Sequence, residues 1–299
     1  MLLGYNTNGL AHHDPLDAIE LLADIGYQSV AITLDHGRLN PFAVGFEREL
    51  AETRRRLERL GLRSVIETGA RYLLDPRVKH EPTLVTADPA VRGRRLDFYR
   101  RAVQAAAALG SDCVSIWSGS LHGLEPGQSP AAAGSGEPDA VEAVWRRLLS
   151  GLDELLDFAA QRGVAIAFEP EPGMFVDTQQ RWSELLARLD RDDLRLTLDI
   201  GHLHCQGETP LADQILRWSD RLANVHIEDM RAGVHEHLMF GEGGIDFPPV
   251  FAALAKAGYR GGAHVELSRH SHDGPSAARR AYGVLAPLAR EAGGWRPEA

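Results

Sequence analysis

Apolar residues recur along this chain in two alternating rhythms. Short strand-like runs stand at LLGYN (2–6), SVAITLD (29–35), LRSVIET (62–68), DCVSIWS (112–118), GVAIAFE (163–169), LRLTLD (194–199), LANVHIE (222–228) and GAHVEL (262–267). Between them lie segments such as PLDAIELLADIG, FERELAETRRRLERLG, RRLDFYRRAVQAAAALG and VWRRLLSGLDELLDFAAQRG. These carry apolar residues at helical spacing and end in Gly26, Gly61, Gly110 and Gly163, a common helix stop. Several of the short runs are apolar throughout, as expected for parallel strands covered on both faces. Eight strands in strict alternation with helices predict an α/β fold, a closed (β/α)8 barrel, in preference to a doubly wound open sheet. A single domain spanning 1–299 fits the size of such a barrel. No Gly-x-Gly-x-x-Gly follows the first strand, which counts against dinucleotide binding. Two irregular stretches, 69–87 and 119–139, follow the third and fourth strands and are expected to be loops at the active-site end, either lids or surface insertions.

Four of the strand-like runs close on side chains that ligate metals: Glu169, Asp199, His226 and Glu266. They are spaced 30, 27 and 40 residues apart, and one β/α unit takes about 30 residues. Neighbouring ligands therefore fall on neighbouring strands, at the carboxyl ends where a parallel barrel builds its active site. Oxygen and imidazole donors in this mixture suit one divalent ion such as Mn, Co, Mg or Zn better than a thiolate-rich structural zinc site. A strand-end glutamate alone is more often a salt-bridge partner. Four in order, in a place where several carboxylates without a cation would be costly, favour the metal. The segment DIGHLH adds His202 three residues beyond Asp199, with Gly201 allowing a tight turn, and His204 behind it as a loop residue. His235 and His237, two apart, are placed to join His202 in holding a second metal or a phosphate.

Composition narrows the partners. A net charge of −10 and a pI near 5.7 argue against nucleic acid or an anionic membrane, and favour a small-molecule substrate. No apolar stretch approaches a membrane span, and the first residues lack a basic leader, so a cytoplasmic location is expected. A homo-oligomer is compatible with the sequence. The two cysteines, Cys113 and Cys205, offer no disulfide framework, and nothing beside Cys205 marks it as an activated nucleophile. Lys79 and Lys256 are the only lysines, which leaves little room for Schiff-base chemistry.

The series Glu169, then DxGH at 199–202, then HxxD at 226–229 with HLxxGEGxID from His237, then Glu266, resembles the xylose isomerase-like TIM-barrel superfamily over nearly the whole chain. That superfamily holds sugar and sugar-phosphate isomerases and epimerases, inosose-processing enzymes and endonuclease IV. The resemblance implies that Glu169, Asp199, His226 and Glu266 bind the metal and that His202 faces substrate or a further metal. The chain departs from the ketose 3-epimerase pattern at Phe175 and Ala232, where that branch has Glu and Arg; Glu171 and Arg231 are the nearest replacements. It departs from the endonuclease pattern at His235, where that branch has Asp, while His202 and His237 match. His36 and His122 are the candidate early-strand ligands.

The leading expectation is a metal-dependent isomerase or epimerase of a sugar, sugar phosphate or polyol-derived hydroxycarbonyl compound, working by enediolate proton transfer. Glu169, Glu266 and His202 are the expected catalytic groups. Expected substrate contacts are Glu67, Arg71, Trp117, His237 and Arg269, with His270 and His272 beside the last. The second expectation is a phosphoester hydrolase with a multinuclear centre completed by His202, His235 and His237. A dehydratase or lyase is a third outcome of the same proton transfer, and a sugar-binding relic of the fold is the non-enzymatic reading.

Overall fold

The computed structural model describes residues 1–37, 39–121 and 138–293. The helices form where the sequence caps them. Helix α1 (Pro15–Ile25) starts with Asp14 accepting from the Leu16 amide and Pro15 in the first turn, and stops where Gly26 takes a φ of 113°. Helix α2 (Phe46–Leu60) buries Phe46, Leu50, Thr53 and Leu57, one face at helical spacing. Helix α3 runs Pro89–Leu109 behind an Asp88 cap, α4 Pro138–Ala160 and α5 Gln179–Leu189. The remaining helices are α6 (Ile200–Cys205), α7 (Leu211–Arg217), α8 (Phe247–Lys256) and α9 (Gly274–Glu291).

Among the described residues, eight parallel strands close into a barrel. They are β1 (Leu2–Asn6), β2 (Ser29–Thr33), β3 (Arg63–Glu67), β4 (Cys113–Ile116), β5 (Ala165–Phe168), β6 (Leu194–Asp199), β7 (Leu222–Ile227) and β10 (Gly262–Val265). The closure is between β1 and β10, with Leu2 opposite Gly262 and Tyr5 opposite Val265. The expected (β/α)8 architecture is what forms. One element is additional: an antiparallel hairpin of β8 (Asp229–Arg231) and β9 (Val234–Leu238) follows β7 at the active-site end. No helix among the described residues is long and apolar enough to cross a membrane. Of the 119–139 loop, residues 122–137, including His122, lie outside the described residues.

The strands are less uniformly apolar than the expectation of two covered faces. Leu3, Val30, Ile32, Ile66, Val114, Ile166, Phe168 and Val225 belong to the main core under the helices. Residues of the opposite parity turn inward and are small or polar. Ala31, Val65, Cys113 and Ala167 pack with one another, and Ser115 meets Thr197 across the interior at 2.9 Å. Because side chains alternate along a strand, the same inward parity carries Glu67, Trp117, Glu169, Asp199, His226 and Glu266 to the mouth. The barrel's register gathers these six at the mouth. Lower in the interior His264 is wholly buried. A Cβ on Gly4 would stand 2.2 Å from its ring, so the glycine is what admits an imidazole there.

Candidate active site

Three carboxylates meet one imidazole. His226 Nδ1 lies 3.0 Å from Glu169 Oε1, 3.0 Å from Glu266 Oε2 and 3.8 Å from Asp199 Oδ2. One donor atom from each of the four residues fits within 4.8 Å of every other. Asp199 caps α6, its Oδ1 accepting from the His202 amide at 2.7 Å. Its Oδ2 is buried with no hydrogen-bond partner among the described residues. Asn8, in the turn after β1, donates from Nδ2 to Glu266 Oε1 at 2.8 Å.

The other edge of His226 is fixed from below. Ser29 Oγ lies 2.8 Å from His264 Nε2, and His264 Nδ1 lies 2.8 Å from Asn224 Oδ1. An amide oxygen only accepts, so His264 Nδ1 carries the proton and Nε2 accepts from the serine. Asn224 Nδ2 then donates to Glu67 Oε1 at 2.9 Å, and His226 Nε2 donates to the same oxygen at 2.9 Å. With its Nε2 proton committed to Glu67, His226 presents Nδ1 to the carboxylates, the tautomer a metal ligand needs. Glu67, expected to touch substrate, borders the cavity but spends this oxygen on positioning His226. It is not paired with Arg71.

Charge in the cluster is strongly redistributed by burial. Desolvation pushes Glu169 up to about 8 against the opposing charge of His226. Desolvation also disfavours a charge on His226, yet Glu169, Glu67 and Glu266 together hold its pKa well above the ordinary histidine value. Glu266 is pushed upward by burial too, but the charge and hydrogen bond of His226 outweigh this and hold it well below the usual carboxylate range. A divalent cation among them would displace that proton from His226 and favour the carboxylate form of Glu169.

Beside this set stands a histidine group. His202 Nε2 is 3.1 Å from His235 Nε2, and donor atoms of His202, His235 and His237 lie within 4.8 Å of one another. Burial lowers His202 and His235 to about 3 each, with neighbouring histidines acting in the same direction. The period-two spacing of 235 and 237 is realised because both stand on β9. His202 Nδ1 is 3.8 Å from both Glu169 Oε1 and Glu171 Oε2. Glu171 therefore enters the site, where burial and then the Glu169 charge raise its pKa well above the usual value. Arg231 does not: it is 59 % exposed and faces Glu236. Gly201 lies inside α6 and makes no special turn. Its role is close approach, since a Cβ there would stand 2.1 Å from Glu228 Oε1. His36 is exposed. His204 is half-buried in α6. Burial, and then Asp199, push the Cys205 thiol up to about 12, which counts against a nucleophilic role.

Glu169, Glu171, His226, His235, His237 and Glu266 line a cavity of about 730 Å³, walled also by Trp117, Arg71 and Arg269. The loop 69–87 contributes Arg71, Lys79 and His80 to it. Arg95 of α3 ties that loop down, donating to Pro82 O at 2.7 Å and His80 O at 2.6 Å while stacking 4.8 Å from the Trp117 ring. His80 packs edge-on against Trp117 and is lowered to about 4 by burial and then by the Lys79 charge. A depressed folded-state pKa means that unfolded chains bind the extra proton first. The contribution is therefore present above pH ~6.5 and is lost as pH falls toward 4, by about 2–3 kcal/mol in all. Unfolding free energies of the wild type and His80→Asn, measured from pH 7 to 4, are expected to show a shallower pH slope in the variant. Equal slopes would remove His80 as the cause.

The inward-facing carboxylate and histidine ends of a parallel barrel define the class. The xylose isomerase-like TIM-barrel family model matches residues 19–288, and the chain belongs to that family. It is 32% identical to the inosose dehydratase of Lacticaseibacillus casei over 150 residues, 44% of this chain and 50% of that one. The chain thus spans about half the length of that relative. It is 24% identical to the L-ribulose-5-phosphate 3-epimerase UlaE of Shigella flexneri serotype 5b (strain 8401) over 264 residues, 88% of this chain and 85% of that one. Among solved structures it is similar to the IolI protein with a bound zinc atom, with a TM-score of 0.73 and 17% identity over 97% of this chain and 99% of that one. At such identity the last likeness speaks for the fold.

Proposed function

We propose that this protein is an isomerase or epimerase that moves a carbon-bound proton of a sugar, sugar phosphate or polyol-derived hydroxycarbonyl compound, using one divalent ion held by Glu169, Asp199, His226 and Glu266. The observation that carries this reading is the convergence of those four donors within 4.8 Å. Three carboxylates around one imidazole, with Asp199 Oδ2 lacking a hydrogen-bond partner among the described residues, fit a Mn, Co, Mg or Zn ion by donor chemistry. When bound, such an ion polarises adjacent carbonyl and hydroxyl oxygens and lowers the cost of negative charge on them.

The chain's own groups do the rest. Glu169 and Glu266, on strands separated by β6 and β7 around the barrel, are assigned the removal and return of the proton. Asn8 and His226 fix the orientation of Glu266. His202 and Glu171 hold the substrate's hydroxyls beside the reacting carbon. Trp117 offers a flat apolar wall to a sugar face.

The test is deuterium incorporation at carbon, read by NMR and mass spectrometry, with neutral sugars, sugar phosphates and inososes in deuterated water. Incorporation is expected, is abolished by a chelator and returns with Mn, Co or Mg. Turnover that survives exhaustive metal removal would sink the reading. His202→Ala is expected to slow exchange more than it weakens metal retention. The identity to inosose dehydratases favours a second reading, in which proton removal is followed by expulsion of a neighbouring hydroxyl; a product lighter by one water identifies it. Phosphate release or strand cleavage with two or three ions per chain would instead assign His202, His235 and His237 to a multinuclear hydrolase.

A further inference from the structure

The main cavity is acidic at its floor and basic at one side of its mouth. There it adjoins a second pocket of about 350 Å³ lined by His12, Arg71, Lys79, Arg269 and His272, with serines and Ala11 between them and no acidic residue. Arg71, Lys79, Ser268 and Arg269 border both spaces. In a chain with a net charge of −10 and two lysines, this gathering of cations is against the average. Arg269 is 61 % exposed and faces Glu236 at 3.6 Å, a weak pair. Among the described residues, Arg71 and Lys79 have no carboxylate within ion-pair distance; Glu171 is the acidic group that acts on Lys79 from further away. Partial burial lowers the Lys79 pKa, and the charges of Arg71 and Arg269 add to the lowering. Like charges held together without a counterion raise each other's energy, and a bound anion relieves it. The cations are also presented by an ordered segment, since the His80 amide donates to Arg71 O at 2.6 Å and Arg95 pins His80 O.

We propose that this pocket is an anion subsite, so that the substrate carries a phosphate or carboxylate at the end remote from its reacting carbons. Arg71 and Arg269 supply planar forks of donors and Lys79 a point charge, while the hydroxycarbonyl end reaches Glu169 and Glu266. The assignment of that second end rests on the sugar-chemistry reading above; the anion end rests on the pocket alone.

The test is calorimetric binding to metal-loaded protein of D-fructose, D-fructose 6-phosphate, D-fructuronate and inorganic phosphate, for the wild type and for Arg71→Gln/Arg269→Gln. At least one anionic sugar is expected to bind about tenfold or more tightly than fructose, with the gap narrowing in high salt and closing in the variant, whose metal content stays that of wild type. Preference for the phosphorylated sugar identifies a phosphate end, and preference for the uronate a carboxylate end. Equal affinity for neutral and charged sugars, a preference that survives both substitutions, or absence of binding by all four probes overturns the subsite. Deuterium exchange separates the two readings. Anion-selective binding without exchange at carbon fails the catalytic reading and keeps the subsite, whereas exchange confined to neutral sugars does the reverse.

Discussion

Glu169→Gln, Asp199→Asn and Glu266→Gln are each expected to leave the barrel folded, empty it of tightly held metal and cut turnover about a thousandfold or more. The amide keeps the carboxylate's shape, so the packing around the mouth is preserved while the charge that binds the cation is lost. All four donors share one small volume, and loss of one charge is not made good by water there. In the metal-free cluster the variants differ in stability: burial raises Glu169 to about 8, so Glu169→Gln should be no less stable than the metal-free wild type. Glu266 is held ionised by His226, so Glu266→Gln gives up that pairing and should be less stable. Elemental analysis after dialysis, circular dichroism and the exchange assay check the three parts. Full metal occupancy with undiminished turnover in all three would remove the assigned site. Glu67→Gln acts one step further out, by disturbing the tautomer of His226, and a loss of about 10- to 100-fold in metal affinity is expected.

Much of this site was legible because a barrel converts sequence spacing into geometry. Ligands about one β/α unit apart land on adjacent strands, and Asp199, His226 and Glu266 do stand on or at the ends of β6, β7 and β10. What the spacing did not convey is the layer beneath. LANVHIE and GAHVEL look apolar overall, yet each alternates: Asn224, His226 and Glu228 share one parity, as do His264 and Glu266. An asparagine or histidine two residues before a ligand, on an otherwise apolar strand, is the signal that Asn224 and His264 support the site. Nothing comparable announces Asn8, in the short helical turn after β1, or Lys79, in a loop whose path is set by tertiary contacts such as the Arg95 anchor. The hairpin of β8 and β9 was hidden for another reason. Its strands span three and five residues and are rich in polar side chains, too short and too polar for periodicity to register.

Asp229→Ala is expected to be among the most destabilising single changes in this chain, because that residue holds the hairpin and the GEGGID turn together. The carboxylate is 1% exposed and takes four backbone donors. Oδ1 accepts from Met230 at 3.0 Å and Ile245 at 3.1 Å, and Oδ2 from Gly241 and Gly243 at 2.9 Å each. The approach is tight enough that a Cβ on Gly243 would stand 2.3 Å from Oδ1, which accounts for a glycine at that place in the motif. Alanine removes the acceptor and leaves these amides facing a small void. An unmet buried donor costs about 1–3 kcal/mol, and partial rehydration of the turn reduces the total to roughly 3–5 kcal/mol. Asparagine keeps one acceptor but turns an amine toward two N–H groups, so a loss of similar sign and somewhat smaller size is expected. The consequence reaches function because β9 carries His235 and His237 to His202. Amide exchange in Asp229→Ala should rise across 229–245 while the barrel strands stay protected, and carbon-bound exchange of substrate should slow with it. A variant with wild-type unfolding temperature and unchanged protection in that segment would show that the turn holds itself together without the aspartate.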